Sequence, residues 1–156
     1  MLISKSPLSF TLRGAEPADL SAISALDQRI TGVGKRAWWQ SQISHYAGGP
    51  PERFFLVIEA DGRFAGFAMG EIRAWEFGSP PCGWIFAIQI DPSLRERRAG
   101  TMLFEALCAR FREQGVARVR TLVDRKDLQI LSFFRAQGMR AGPSLQLDLD
   151  LKAGAT

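Results

Sequence analysis

The chain has 156 residues, 46% of them hydrophobic and 23% charged, which is the size and make-up of one globular domain and excludes a disordered or collagen-like chain. Its net charge of +4 is unevenly spread: Arg95 to Arg140 holds 11 basic and 5 acidic side chains, a net +6 that leaves −2 for the rest, and such a local field suits an anionic partner. Cys82, Cys108 and His45 are too few for a disulfide framework or a metal site, no apolar run approaches the roughly 20 residues that cross a bilayer, and Met1 to Thr11 lacks the apolar core of a signal peptide; the expectation is a cytoplasmic protein with no metal and no membrane partner.

Ser9 to Arg13 predicts a short strand. Ala15-Glu16-Pro17 opens a helix, proline being suited to a first turn, and Leu20, Ile23, Ala25 and Leu26 give it an apolar face. Thr31 to Gly34 interrupts the chain. Lys35 to Tyr46 predicts a second helix, carrying Trp38, Trp39, Gln42 and Ile43, which Gly48-Gly49-Pro50-Pro51 ends. Phe54 to Ala60 is a strand, Asp61-Gly62 a two-residue hairpin signal, and Arg63 to Arg73 the returning strand, weakened at Gly66 and Gly70. After a loop at Gly78 to Pro81, Trp84 to Ile90 is nearly all apolar, as a strand buried on both faces is.

Pro92 stops that strand. Gly100 to Gln114 then predicts a helix, with Leu103, Leu107 and Phe111 spaced by four and Gly115 beyond its end. Val116 to Asp124 is a strand. Asp127 to Gln137 is a helix capped by its aspartate and closed by Gly138. Leu145, Leu147, Leu149 and Leu151 alternate with Gln146, Asp148 and Asp150, the pattern of a half-buried strand. The order β-α-α-β-β-β-α-β-α-β implies a mixed sheet with helices on both faces, in one domain.

The informative stretch runs from Ile88 to Leu103: a strand, a proline, a polar loop with Arg95, Arg97 and Arg98, and a helix start. A helix start leaves backbone N–H groups without partners and carries the positive end of the dipole. With three guanidinium groups beside it, that arrangement suits a pyrophosphate; a solvated basic loop is the plain alternative.

This stretch resembles the GNAT superfamily of acyl-CoA-dependent N-acetyltransferases, whose pattern is V-x-P-x-x-[RQ]-x-x-G-x-[GA]. Ile90, Pro92, Arg95 and Gly100 stand at its valine, proline, [RQ] and [GA] positions, while Arg98 replaces the inner glycine. The opening Phe10 to Arg13 with Asp19-Leu20 is similar to the family's first strand and helix. Asp127, Ile130, Phe133-Phe134 and Gly138-Met139 are similar to its N-x-x-A-x-x-F-Y-x-x-x-G-F segment, with Phe134 at the tyrosine.

The resemblance implies an α/β (α+β) fold in one domain over 1–156, with a core at about residues 9–151. It implies a mixed, mostly antiparallel sheet of six to seven strands with helices on both faces. It also implies acetyl-CoA as co-substrate and an amine as acceptor. The backbone of Ile88, Gln89 and Ile90 is then expected to pair with pantetheine where the fourth and fifth strands splay apart. Arg95, Glu96, Arg97, Arg98, Ala99, Gly100 and Thr101 form the expected pyrophosphate loop, and Asp127 and Phe134 stand at further cofactor-side positions. An attacking amine needs a base. Glu71 near the end of the third strand is the first candidate and Asp124 near the end of the fifth is the second; an ion-paired strand-end role is the alternative for each. Phenylalanine at 134 cannot supply the tyrosine's proton, and Tyr46 lies in the second helix, where packing is its first reading.

Trp38, Trp39, Tyr46, Trp75, Phe77 and Trp84 come from regions that flank the acceptor in the family; an aromatic acceptor site and ordinary core packing are both open readings. A non-catalytic acyl-CoA-binding or regulatory module is the alternative to an enzyme. Nucleic-acid binding is not expected, since no reading motif accompanies the arginines. Dimers are frequent among relatives, so monomer and homodimer both stay open.

Overall fold

A computed structural model of the chain describes residues 6–48 and 51–152. They fall into two compact units, divided between Leu122 and Val123.

The first unit holds one open five-stranded sheet in the order β1-β2-β3-β4-β5. β1 is Phe10–Gly14, β2 Arg53–Ala60, β3 Arg63–Arg73, β4 Cys82–Ile90 and β5 Val119–Thr121. The first four pair antiparallel, and β5 adds to β4 in parallel. Helices α1 (Leu20–Thr31) and α2 (Arg36–Tyr46) cover one face, and α3 (Ala99–Glu113) covers the other. A 3-10 turn at Pro17–Asp19 precedes α1, so the proline at the predicted helix start opens that turn. Gly32, with φ of 76°, closes α1 in the left-handed conformation that glycine adopts at least cost.

Strand alternation sorts the core into two layers. Phe55 and Val57 of β2 join Phe67 and Met69 of β3 beneath Ile23, Leu26, Trp39, Ile43 and Tyr46. On the opposite face Phe54 meets Phe111 of α3 edge-on, with ring centroids 5.6 Å apart. Gly70 and Gly83 sit under that same ring: a Cβ at Gly83 would lie 2.6 Å from it and one at Gly70 2.9 Å. Gly70, which weakens β3 as sequence, and Gly83 of β4 therefore let α3 seat closely on the sheet.

The second unit holds α4 (Leu128–Ala136) and the segment after it. Asp127 caps α4 by accepting the N–H of Ile130 at 3.1 Å, as expected of it. Gly138 ends it at φ of 93°.

Three expectations require correction. The sheet has five strands among the described residues, not six to seven. Leu145 to Leu151 forms no ladder; its four leucines are 79–89% exposed, and Gln146 and Lys152 bond only locally, to Asp148 and Asp150. Alternation states which side chains share a face, but a strand also needs a neighbour for its N–H and C=O groups. The strand predicted over Val116 to Asp124 shrinks to Val119–Thr121 for a related reason, since only three residues of β5 pair with Gly83, Trp84 and Ile85.

Candidate active site

β4 changes character along its length. Gly83, Trp84 and Ile85 pair with β3 on one side and β5 on the other, and Thr121 Oγ1 donates to the Ile85 carbonyl at 2.9 Å. Beyond Ile85 the ladder to β5 stops. Ala87 to Ile90 continues against β3 alone, with Ile88 opposite Ala68, Gln89 opposite Phe67 and Ile90 opposite Gly66. Among the described residues no strand pairs with the other edge of this half-strand, at the residues expected to pair with pantetheine.

A bulge marks the change. Met69 pairs with Ala87 and Gly70 with Ile85, so Phe86 is an extra residue on β4. It stands 46% exposed and faces a cleft of about 900 Å³ between the sheet and α2. The sheet contributes Met69, Glu71 and Phe86 to that cleft, and α2 contributes Trp38, Ser41, Gln42, Ser44, His45 and Tyr46.

Glu71 is the one carboxylate in the lining. The Tyr46 hydroxyl reaches its Oε2 at a long 3.5 Å, and Arg53 Nε lies 3.9 Å from the same oxygen. Burial and the neighbouring negative charge of Glu71 push the Tyr46 phenol up to about 12, so near neutrality it is a hydrogen-bond donor. Arg73, one register position further along the same face of β3, stacks over Trp84 and Phe86 and pairs with Glu76 at 2.7 Å.

A buried carboxylate fixes the walls of the cleft. Asp27 of α1 is 1% exposed and accepts from the Trp39 indole N–H and the Gln89 amide, both at 2.9 Å, with Lys35 Nζ also at 2.9 Å. Burial pushes its pKa up, but these hydrogen bonds outweigh burial and hold the carboxyl below its ordinary range. The Gln89 side chain therefore turns toward Asp27, and its Oε1 is buried without a hydrogen-bond partner.

At the far end of β4, Asp91 caps the 3-10 turn Pro92–Leu94 by accepting from the N–H and hydroxyl of Ser93. Those bonds, against some burial, and Arg29 at 3.3 Å hold its carboxyl low. Arg95, Glu96, Arg97 and Arg98 follow, all exposed. Glu96 and Arg98 both have φ of 67°, the left-handed region where glycine is at ease. Arg98, the residue at the inner-glycine position, keeps the backbone turn that a glycine would make and serves as N-cap of α3. α3 opens with no side-chain cap and no acidic residue in its first turn, at Ala99, Gly100 and Thr101. The cationic loop thus meets an uncapped helix start, the arrangement that binds phosphates.

The acetyltransferase (GNAT) family profile matches residues 20–139. The chain belongs to this family. A GNAT relative, L-2,4-diaminobutyric acid acetyltransferase of Nocardia farcinica, is 30% identical over 90 residues, which is 58% of this chain and 45% of that one. The match thus spans less than half of that relative's length. Among solved structures, an aminoglycoside N-acetyltransferase, AAC(6')-Iy, in complex with CoA has a TM-score of 0.82 at 16% identity, covering 96% of this chain and 99% of that one. Glucosamine-6-phosphate N-acetyltransferase from Arabidopsis thaliana follows at TM-score 0.72 and 19% identity, covering 92% and 99%. At these identities the structures report the shared GNAT fold.

Within this GNAT chain the first unit brings together Glu71, the open half of β4 and, at the end of that strand, the arginine loop. Asp124 lies in the second unit. It is exposed in a turn after the shortened strand, where its Oδ1 accepts the N–H of Lys126 at 2.8 Å. Asp127 and Phe134 belong to that unit too; Phe134 is buried, edge-on to Phe133 at 5.2 Å.

Of the six aromatics named from the sequence, Trp38 and Tyr46 line the cleft, and Trp84 of β4 is half-buried with Arg73 stacked over it. Trp39 belongs to the core, while Trp75 and Phe77 stand exposed in a tight turn. Phe86 is the cleft residue that sequence reading missed. No local signal marks it, because a bulge is a property of the β3–β4 register. Among the described residues no helix is long and apolar enough to cross a membrane.

Proposed function

We propose that the chain transfers an acetyl group from acetyl-CoA to a primary amine. The observation that carries this reading is the open half of β4, which has an acid-bearing cleft at its bulge and a cationic helix start at its end. The free edge from Ala87 to Ile90 offers backbone N–H and C=O groups to the amides of pantetheine. Arg95, Arg97, Arg98 and the first turn of α3 offer donors to the pyrophosphate. Both sets fit the donor chemistry of CoA.

Glu71 acts as base. It takes a proton from the incoming ammonium, with Tyr46 donating to the carboxylate and orienting it. The freed nitrogen attacks the acetyl carbonyl; a C–N bond forms, the C–S bond breaks, and the nitrogen gives up a further proton. The leaving thiolate takes up one proton, and since free thiols titrate at about 8.5 water suffices as its acid. Phe134 at the family's tyrosine position is therefore compatible with turnover. A backbone N–H on the open edge stabilises the oxyanion, and holding both substrates on one strand supplies much of the rate.

The test is thiol release from acetyl-CoA across a panel of amines, with acetyl-CoA binding followed by calorimetry. Release that depends on the amine supports the reading. Binding without release, on any amine, points instead to an acyl-CoA-binding module. Arg95→Ala with Arg98→Ala should weaken binding while leaving the circular dichroism spectrum unchanged; an unaltered dissociation constant removes the loop from the CoA site.

A further inference from the structure

The relatives above are named for acceptors that carry several charges: a diamine acid, a polyamine sugar, a phosphorylated amino sugar. The cleft of this chain has a different electrostatic make-up. Its lining contains one carboxylate, Glu71, and neither lysine nor arginine. A substrate with two or more ammonium groups finds no second acid there. A substrate with a carboxylate or phosphate finds His45 as the one basic side chain of the lining and no permanent cation, because Lys35 is paired with Asp27 and the neighbouring arginines are engaged. Arg53 faces Glu71 at 3.9 Å, and Arg73 is paired with Glu76 and stacked on Trp84 and Phe86.

The lining offers flat apolar surface instead. Trp38 is 48% exposed and Phe86 46%, and both face the cleft, with Met69 at its floor. Large rings left half in water at the wall of a concave site are free to take up another ring. Neither is a loose surface residue. Trp38 packs edge-on to buried Trp39 at 4.7 Å, and Trp39 is tied to Asp27. Phe86 is held outward by the bulge, and Arg73 lies 5.9 Å from its ring centroid.

We infer that the acceptor is a primary amine with a single positive charge on an aromatic body, an arylalkylamine, whose ring packs against Trp38 and Phe86 and whose ammonium meets Glu71. This inference rests on the acetyl-transfer reading above and deepens it. The same attack on acetyl-CoA then yields the N-acetyl arylalkylamide and free CoA.

The test measures thiol release with acetyl-CoA and four acceptors: 2-phenylethylamine, ethylamine, 2,4-diaminobutyrate and kanamycin. The kcat/KM for 2-phenylethylamine should exceed that for each of the others by about 10-fold or more, the scale on which an apolar pocket discriminates. Trp38→Ala and Phe86→Ala should each raise its KM with kcat nearly unchanged, the mark of lost binding that is equal in ground and transition states. Both side chains are half exposed, so these variants should keep the core, which the thermal midpoint checks. Faster turnover of diaminobutyrate or kanamycin, or an unmoved KM in both variants, overturns the arylalkylamine assignment and leaves acetyl transfer standing. Absence of thiol release with every acceptor, while acetyl-CoA still binds, overturns both.

Discussion

The two halves of β4 share one strand and do different work. From Gly83 to Ile85 the strand is paired with both neighbours, and Gly83 lies under the fully buried Phe111 ring. From Phe86 to Ile90 it keeps one neighbour, gains a bulge and ends in a cationic turn. In the first half both edges of the strand lie against neighbouring strands. In the second the same chemical groups are unclaimed on one edge and are available to a ligand. Completed pairing makes a scaffold, and pairing that stops part-way along a strand leaves an edge that the proposed function uses.

That contrast is open to attack from both ends. The largest effect is expected at the cleft beside the bulge: Glu71→Gln should lower kcat/KM by about 100-fold or more, the usual contribution of a positioned base, with little change in the thermal midpoint. Wild-type turnover in steady-state assays would remove Glu71 from the chemistry. At the paired half, Gly83→Ala places a Cβ 2.6 Å from the Phe111 ring and should cost about 2 kcal/mol by urea denaturation, while molar activity of the folded protein stays near wild type. A loss of activity larger than the loss of folded protein would show that the two halves are coupled.

A third test concerns the Asp27 hub. Its carboxyl titrates below the ordinary value of 3.8 when folded. Its stabilising contribution is therefore complete above that value and is lost as the pH falls through the lower, folded one, at about 1.4 kcal/mol for each unit of depression. Asp27→Asn should flatten this acid limb in denaturation measured from pH 5 downward; an unchanged limb would mean that other carboxylates, Asp19 and Asp91 among them, dominate it. The smallest effect is expected at Arg98. Arg98→Gly relieves a left-handed backbone and should raise stability by about 1 kcal/mol, yet weaken acetyl-CoA binding by calorimetry through loss of a cation. A gain in both would mean that the guanidinium does not serve the phosphates.

Local pattern made most of the first unit legible. Phe54 to Ala60 and Arg63 to Arg73 are branched and aromatic runs joined at Asp61-Gly62, and they pair as that signal predicts. Asp127 and Gly138 bound α4 through capping chemistry that is written in adjacent residues. The places of Glu71 near the end of β3 and of Arg95–Arg98 between β4 and α3 were readable, because position relative to a strand end follows from local pattern. What stayed hidden depends on residues far apart in sequence. The bulge at Phe86 exists only in the register with Met69 and Gly70, and Gln89 meets Asp27 across 62 positions. Leu145 to Leu151 has a strand's alternation, but no sequence pattern names the strand that would pair with it.

The three-way grip on Asp27 bears on how the cleft is assembled. A charged carboxylate that is 1% exposed is tolerable only when its donors are in place. An arrangement with α2 shifted by one turn, or with β4 slipped against its neighbour, strands that charge and is penalised far more than a misplaced leucine would be. The hub therefore ties α1, α2 and β4 to one mutual register, the one in which Trp39, Lys35 and Gln89 all reach the carboxylate.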